Sequence, residues 1–582
     1  MTRAQKWVAV AMTVLMGIAT YVFFAFKYPY HLHFQEQYQL FEDTWKYFSE
    51  VAWLPGGLAD WAGRFITQFC YYAPAGAALL ALLLCGMQLS VWSVFRGRTL
   101  LQYALSFIPA FLMLAFYCDE NALAGAAVAL ILSLCVAALC LQVRRNGLRH
   151  LLEIVLVPLL YLSCGGLSVV FVLVVAIREL ACCGWKVWPV LAILFAVAVL
   201  CPLVASRVFP YPLNRLCFGV HYHRYHNIVP GLLWLSALVA VALVALSCSK
   251  GLARVSGWLS GVLAFVVIAA LGTYFTLRLA DDAKEEWMRY DFMVRMQMWN
   301  RIMQSADKQN PDNPKTVSCL NLALAMTGRM ADSQFEYFQN GPEGLLPSFV
   351  GDHTNPVSTG EIYWQLGMVN TAQRFAFEAQ EAIPDFQKSA RLYRRLAETN
   401  IVNGDLDVAR KYLKALQNAC FYRKWAAETE ALIDAGTVFE RRSELTRIRD
   451  LRLQEHDFLF SDTEMDSMLG LLKVEHPENR MALDYLMAWC LLRKDLDRFV
   501  ECISMVEAPS MPKAYQEALL LRWVLTHNDF NGLPAYISPV HAQRISRFIQ
   551  DVQSGKKETE LQKSYGDTYW FYYYFRYRSS QD

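Results

Sequence analysis

The sequence predicts an all-α protein in two parts: a polytopic helical membrane bundle of about nine spans over residues 1–280, then a soluble helical-repeat domain over 281–582. Three observations carry this. Long apolar runs with almost no charge recur up to Asp281 and then stop. Beyond that point charged residues return at helical spacing. Across 582 residues the charged fraction is 18%, aromatics reach 14% and mean hydropathy is +0.23, as befits a chain half in membrane and half in water.

The first run, Trp7 to Phe26, follows Arg3 and Lys6 and ends in Phe26-Lys27-Tyr28-Pro29. It is about long enough to span and lacks a small-residue cleavage site, so it is expected to be an uncleaved anchor. Further runs fall at 73–95, 101–118, 122–142, 150–164, 167–183, 187–206, 230–248 and 257–277, with 150–183 split at Cys164-Gly165-Gly166. Arg3, Lys6, Arg96, Arg98, Arg144, Arg145, Arg149, Arg178, Lys186, Lys250 and Arg254 then gather on one side. The opposite connections after the third and fifth runs have no Lys or Arg. The positive-inside rule places the N-terminus in the cytoplasm and the C-terminal domain outside, in the periplasm of a diderm bacterium. The chain is thus expected to be a multi-pass inner-membrane protein in contact with membrane lipids.

Two outer segments carry more than a connection. Residues 27–72 read as two amphipathic helices, with Phe34, Tyr38, Phe41, Trp45 and Phe48 as one aromatic stripe. Leu58, Trp61, Phe65 and Phe69 form another after the Leu54-Pro55-Gly56-Gly57 turn; such helices lie in the membrane interface. Residues 207–230 are rich in Pro, Arg, Tyr and His.

From Asp281 a rod through Trp287, Tyr290, Met298, Trp299 and Ile302 is expected to continue the last span. Three stretches then look alike, each an apolar helix, a short Gly/Asp turn and a second helix: Leu320–Gly328, Leu392–Tyr412 and Leu483–Phe499. They resemble tetratricopeptide (TPR) repeats at hairpin level, and uneven spacing with Pro384, Pro477 and Pro512 makes the expected solenoid a degenerate one. The tail Tyr569-Trp570-Phe571-Tyr572-Tyr573-Tyr574-Phe575 reads as a capping helix, or as an interfacial foot with Arg576 and Arg578.

Several function classes are excluded. A net charge of +2 with no basic stripe excludes nucleic acid as partner. Eleven of the fifteen cysteines lie in the apolar half as small buried thiols. Cys319, Cys420, Cys490 and Cys502 give neither a disulfide framework nor zinc spacing. No phosphate-cradling glycine loop, nucleophile elbow or zincin helix occurs.

What remains is polar chemistry on the outer face. Glu36 stands beyond the first span, and Asp119 and Glu120 follow the third. These carboxylates either converge as base or divalent-metal ligands or are solvated span-end caps. His31, His33, His221, His223 and His226 share that face and are candidate metal ligands, or interfacial side chains. Arg207, Arg215 and Arg224 suit a lipid phosphate, as a substrate clamp or a headgroup anchor. Near the inner side, Cys182-Cys183 is a vicinal pair, and Glu153 is an intramembrane acid close enough to Arg149 to pair with it.

An acidic residue after span one, two interfacial helices, carboxylates after span three and an outer C-terminal domain resemble the topology of C-type polyprenyl-dependent glycosyltransferases. Some eukaryotic protein O-mannosyltransferases add tetratricopeptide repeats to such a module. The resemblance implies Glu36 as base or metal ligand, with Asp119 or Glu120, and Arg215 or Arg224 on the phosphate of a lipid-linked sugar. It departs at Glu36-Gln37, where the family has an acidic pair. The whole chain, including Phe34-Gln35-Glu36-Gln37-Tyr38-Gln39-Leu40-Phe41 and the aromatic tail, also resembles uncharacterised multi-pass proteins of Bacteroidetes-type bacteria. Two functions follow: an envelope glycosyltransferase using a lipid-phosphate-linked sugar, or a non-enzymatic membrane-anchored scaffold whose outer domain binds an envelope protein.

Overall fold

Apolar residues without intervening prolines or charges satisfy their backbone hydrogen bonds most simply as helix, and helix is what this sequence forms. The computed structural model describes residues 1–96, 99–225, 227–248, 257–350, 354–453, 464–506, 511–527, 532–534 and 537–576. Among these, 78% are helical and no strand forms; one isolated bridge joins Ala122 and His223. Arg98, His226, Lys250, Arg254 and Arg578 lie outside the described residues.

The chain divides into two compact units. The first comprises Met1–Glu285, Pro384–Arg391 and Lys414–Ala427; the second comprises Glu286–Ile383, Leu392–Leu413 and Glu428–Asp582.

In the first unit α1 (Arg3–Val22), α2 (Pro29–Gln37), α3 (Trp45–Ala52) and α4 (Gly57–Thr67) lead to α5 (Ala73–Ser93), α6 (Leu100–Leu105) and α7 (Phe107–Phe116). Next come α8 (Gly125–Cys140), α9 (Asn146–Cys164), α10 (Ser168–Cys183), α11 (Trp188–Val208), α12 (Leu213–Phe218), α13 (Gly231–Ser247) and α14 (Trp258–Leu279). Four helical stretches are long and apolar enough to cross a membrane: Arg3–Lys27, Ala73–Ser93, Asn146–Val208 and Trp258–Leu279. This corrects the expected nine, for two reasons. The runs at 150–164, 167–183 and 187–206 belong to one helical stretch of 63 residues, turned at Gly165 (φ 64°) and Gly184 (φ 63°). Leu100–Phe116, Gly125–Cys140 and Gly231–Ser247 are apolar helices of only 10–17 residues, short of the roughly 20 a bilayer core demands.

Small residues set the packing. Gly261 and Gly272 share one face of α14, where a Cβ would meet Leu100 of α6 and Phe111 of α7 at 2.7 and 2.4 Å. Gly63 of α4 lies against Gly125 of α8, where an added Cβ would come 2.2 Å from the Gly125 nitrogen. Such close backbone approach is how helices associate where lipid removes most of the hydrophobic drive. Inside the bundle Thr13 donates to Gln88 at 3.0 Å and Gln88 donates to Ser106 at 2.8 Å, so these three polar side chains satisfy one another.

Residues 27–72 form three helices, and the first is not an interfacial amphipath. In α2, His31, Leu32, Phe34, Gln35, Glu36 and Gln37 are all buried. The expected stripe divides: Phe34, Tyr38 and Phe41 are buried, with Phe41 against Trp61 and Phe65, whereas Trp45 is 79% exposed. The expected rod is also broken. α14 stops at Leu279, and Asp281 accepts from the Ala283 and Lys284 amides to start a new helix at Asp282.

The second unit contains helical hairpins, one with nearly equal arms and one with a short second arm. Asn355–Leu366 turns through Gly367 (φ 89°) into Val369–Glu381, and Arg480–Leu492 turns through Lys494 (φ 63°) into Leu496–Cys502. The expected hairpin at Leu320–Gly328 has a second arm of only four residues, Met330–Ser333. The aromatic tail is core: Tyr569, Trp570, Phe571 and Tyr572 are buried, and the Tyr569 and Tyr572 hydroxyls donate to the Leu491 and Leu492 carbonyls.

Candidate functional site

The polar residues singled out above lie in the first unit, and the fold gives most of them partners elsewhere in it. At the start of α2, Tyr30 and His31 donate their backbone N–H groups to the Glu285 carboxylate at 2.8 and 2.9 Å. A helix N-terminus exposes unpaired donors, and a carboxylate there both accepts from them and complements the dipole. Thus anchored, α2 turns Glu36 inward, where its side chain accepts from the Tyr422 hydroxyl at 2.8 Å. Gln37 accepts from Arg391 at 3.2 Å, and Gln35 donates to the Ala122 carbonyl at 3.1 Å.

Asp119 and Glu120 occupy different surroundings. They line a cavity of about 530 Å³ at the ends of α7, α13 and α14. Phe116, Ile228, Val229, Leu232 and Leu279 supply its apolar wall, and Asp119, Glu120, His223, Tyr225, Asp281 and Lys284 its polar one. Glu36 is not among the lining residues. Glu120 pairs with Lys284 at 2.7 Å and Asp119 with His223 Nε2 at 3.0 Å. His223 Nδ1 stands 3.1 Å from the Tyr225 N–H and 3.3 Å from the Tyr225 carbonyl, so it has a backbone partner in either tautomer. Both nitrogens of this imidazole are therefore committed, and neither is an open lone pair for a base or a metal. Burial works against ionised Asp119, but the His223 bond, the Asn121 N–H and the nearby Lys284 charge hold its carboxyl below the usual value.

The other candidates disperse. His31 is buried, which pushes its imidazole down to about 4 against the pull of Asp119. His33 lies on the same short helix, α2. His221 stands 3.9 Å from Asp60, with burial again lowering its affinity for a proton. His226 lies outside the described residues. Among the described residues, none of these histidines joins two further ligand-type side chains at metal-binding distance. Arg215 pairs with Asp385 and donates to the Val220 carbonyl. Arg224 is 1% exposed, donates to the Tyr38 carbonyl at 3.3 Å and lies over the Tyr38 ring, and burial pushes its guanidinium down to about 10. Arg207 is exposed at the end of α11. None of the three lines the 530 Å³ cavity.

Sequence reading missed the partners. Asp60 and Arg64 form a buried pair one turn apart on α4, and Arg64 also donates to Tyr47 at 3.2 Å. Their i,i+4 spacing is a legible signal. Tyr422, Asp385 and Lys284 carry no local signal, because only the fold brings them to Glu36, Arg215 and Glu120.

Fold and site together define an all-helical protein with several apolar helices that could span a membrane. The chain belongs to a family of unknown function, DUF6057, whose family model matches residues 3–576. No curated protein and no solved structure matches it.

Proposed function

We propose that this protein is a membrane-anchored scaffold of the cell envelope. Its first unit sits in the inner membrane, and its C-terminal helical hairpins, TPR-like in character, bind an envelope protein. One observation carries this reading: Glu36 lies apart from the cavity lined by Asp119 and Glu120. A glycosyl transfer needs those carboxylates over one acceptor, and here they serve Tyr422, His223 and Lys284. These contacts tie the loops to neighbouring helices, which suits a rigid anchor.

The test uses the full-length chain in cells, with a photo-cross-linking residue at exposed positions of the hairpins. The expected result is one reproducible envelope partner whose cross-link survives Glu36→Gln and Asp119→Asn. Loss of an envelope glycan in either variant, at normal protein level, would overturn the scaffold reading.

A second reading, a glycosyltransferase-like protein using a lipid-phosphate-linked sugar, draws on the 530 Å³ cavity itself. An apolar wall beside an ionised carboxylate suits an amphiphile with a hydroxyl-rich head. On that reading Asp119→Asn abolishes the glycan and Glu36→Gln does not.

A further inference from the structure

A separate cluster joins α9 to α10. The Gly165 turn folds these helices back on each other, and His150 and Glu179 stand nearly equidistant from it, so antiparallel pairing brings them level. His150 Nε2 lies 3.2 Å from Glu179 Oε2. His150 and Glu153 are three residues apart and share a face of α9, the spacing by which helical bundles present an imidazole and a carboxylate to one ion. One ligand atom from each of His150, Glu153 and Glu179 lies within 4.8 Å of the others. Cys183, one turn beyond Glu179, places its sulfur 3.7 Å from Glu179 Oε2.

One carboxylate of this cluster has no close partner. Glu153 is 0% exposed and Glu179 1%. Arg149 serves Glu179 closely, with Nε 2.7 Å from Oε1 and Nη2 donating to Oε2 at 2.9 Å. It comes no nearer than 3.7 Å to Glu153, neither of whose oxygens accepts a hydrogen bond. Two buried carboxylates thus share one guanidinium. A buried carboxylate without a hydrogen bond is costly, and it is relieved by taking up a proton or by a further positive charge.

We infer that His150, Glu153 and Glu179 bind a divalent transition-metal ion, with Zn²⁺ the best fit. One imidazole nitrogen and two carboxylate oxygens, with a thiol beside them, form a mixed N/O/S donor set, too soft for Mg²⁺ or Ca²⁺. Tetrahedral zinc sets its ligand atoms about 3–4 Å apart, so the cluster need close only slightly. Arg149 then orients Glu179 from outside, as outer partners of metal ligands do. The ion ties α9 to α10 at the end of the hairpin remote from Gly165.

The test uses full-length protein in detergent, stripped with a chelator and titrated with Zn²⁺ against a chromophoric competitor. One Zn²⁺ per chain is expected. His150→Ala and Glu153→Gln should each weaken it by more than the roughly 10–100-fold seen when outer partners are removed, and Gly147→Ala should leave it unchanged. Zinc held equally well by both variants marks binding to the protein's other thiols and overturns the site, as does no stoichiometric binding. Should the variants fail to fold, Co²⁺ loaded into wild-type protein decides: the visible bands of a four-coordinate ion support the site, and a featureless spectrum overturns it.

Discussion

Replacing Asp60 by asparagine removes one charge and almost no volume, which makes it a clean probe of the buried polar layer. The Asp60 side chain is 2% exposed and that of Arg64 12%. Arg64 grips the carboxylate twice, with Nε at 3.0 Å from Oδ1 and Nη2 at 2.7 Å from Oδ2. The substituted amide would keep the shape and leave the guanidinium buried without its counter-ion. Breaking such a pair from one side costs about 3–5 kcal/mol, mostly the desolvation of the orphaned charge. His221, 3.9 Å away, cannot repair the charge balance, because an imidazolium there would add a second cation. At about 2 °C per kcal/mol for a large domain, the unfolding midpoint should fall by about 6–10 °C. A thiol-reactive fluorophore is the suitable assay, since buried cysteines such as Cys70, Cys118, Cys140 and Cys164 all lie in this unit. The paired replacement Asp60→Leu with Arg64→Met should recover most of the loss, because a buried ion pair is worth little against apolar packing. A single variant within about 0.5 kcal/mol of wild type, or a double variant as damaged as the sum of the singles, would refute the argument.

Three further outcomes follow from the same geometry. Tyr422→Phe removes a 2.8 Å bond to the buried Glu36 carboxylate and should cost about 1.5–3 kcal/mol in the same assay; no change would mean that Glu36 does not depend on this hydroxyl. Gly63→Ala drives a Cβ to 2.2 Å from the Gly125 nitrogen, whereas Gly147 has nothing within 4 Å. The first should destabilise by about 1–3 kcal/mol or more and Gly147→Ala should not, so equal effects would dismiss the α4–α8 contact as a constraint. In the second unit Glu517 is buried near Lys513, Arg544, His541 and Asp567; burial pushes its carboxyl from 4.5 up to about 7, against the Tyr569 N–H that it accepts. The folded chain therefore holds more protons than the unfolded one between those values, and stability falls as pH rises through that window. Glu517→Gln should gain on wild type from about pH 4.5 to 7, by on the order of 3 kcal/mol, and level off above; a gain independent of pH would refute the assignment.

How much of this was legible in sequence depends on how far apart the interacting residues stand. The helical class and the apolar runs were legible because they are local: periodicity and length are written in consecutive residues. The turn at Gly165 was legible for the same reason, since only glycine readily adopts φ 64°. The number of crossing helices was not, because hydropathy marks Gly125–Cys140 and Gly231–Ser247 as apolar but does not tell a span from a short buried helix. Burial of α2 was equally hidden. Phe34, Tyr38 and Phe41 read as an interfacial stripe, and nothing nearby in sequence announces Arg224 over Tyr38 or Tyr422 on Glu36. The candidate site was legible as a set of residues and illegible as an arrangement.

The arrangement still bears on function through its charge balance. Asp60 with Arg64, Glu120 with Lys284 and Asp385 with Arg215 each match one anion to one cation. The Asp60–Arg64 and Asp385–Arg215 pairs are shielded from water, whereas Lys284 is half exposed. Arg224 and Glu153 depart from this pattern. Arg224 is a buried cation with no carboxylate within ion-pair distance among the described residues; the Tyr38 ring and carbonyl take up part of its charge, and the protein tolerates it as a strut. Glu153 and Glu179 depart in the opposite sense, and no ring or backbone donor meets the Glu153 oxygens. A cation over the Tyr38 face has a structural resolution within the chain, whereas the Glu153 carboxylate, with no hydrogen bond and Arg149 no nearer than 3.7 Å, must take up a proton or a bound cation. That asymmetry is why the metal belongs to the α9–α10 hairpin, while the loops around Glu36 serve the anchor and the C-terminal hairpins the partner.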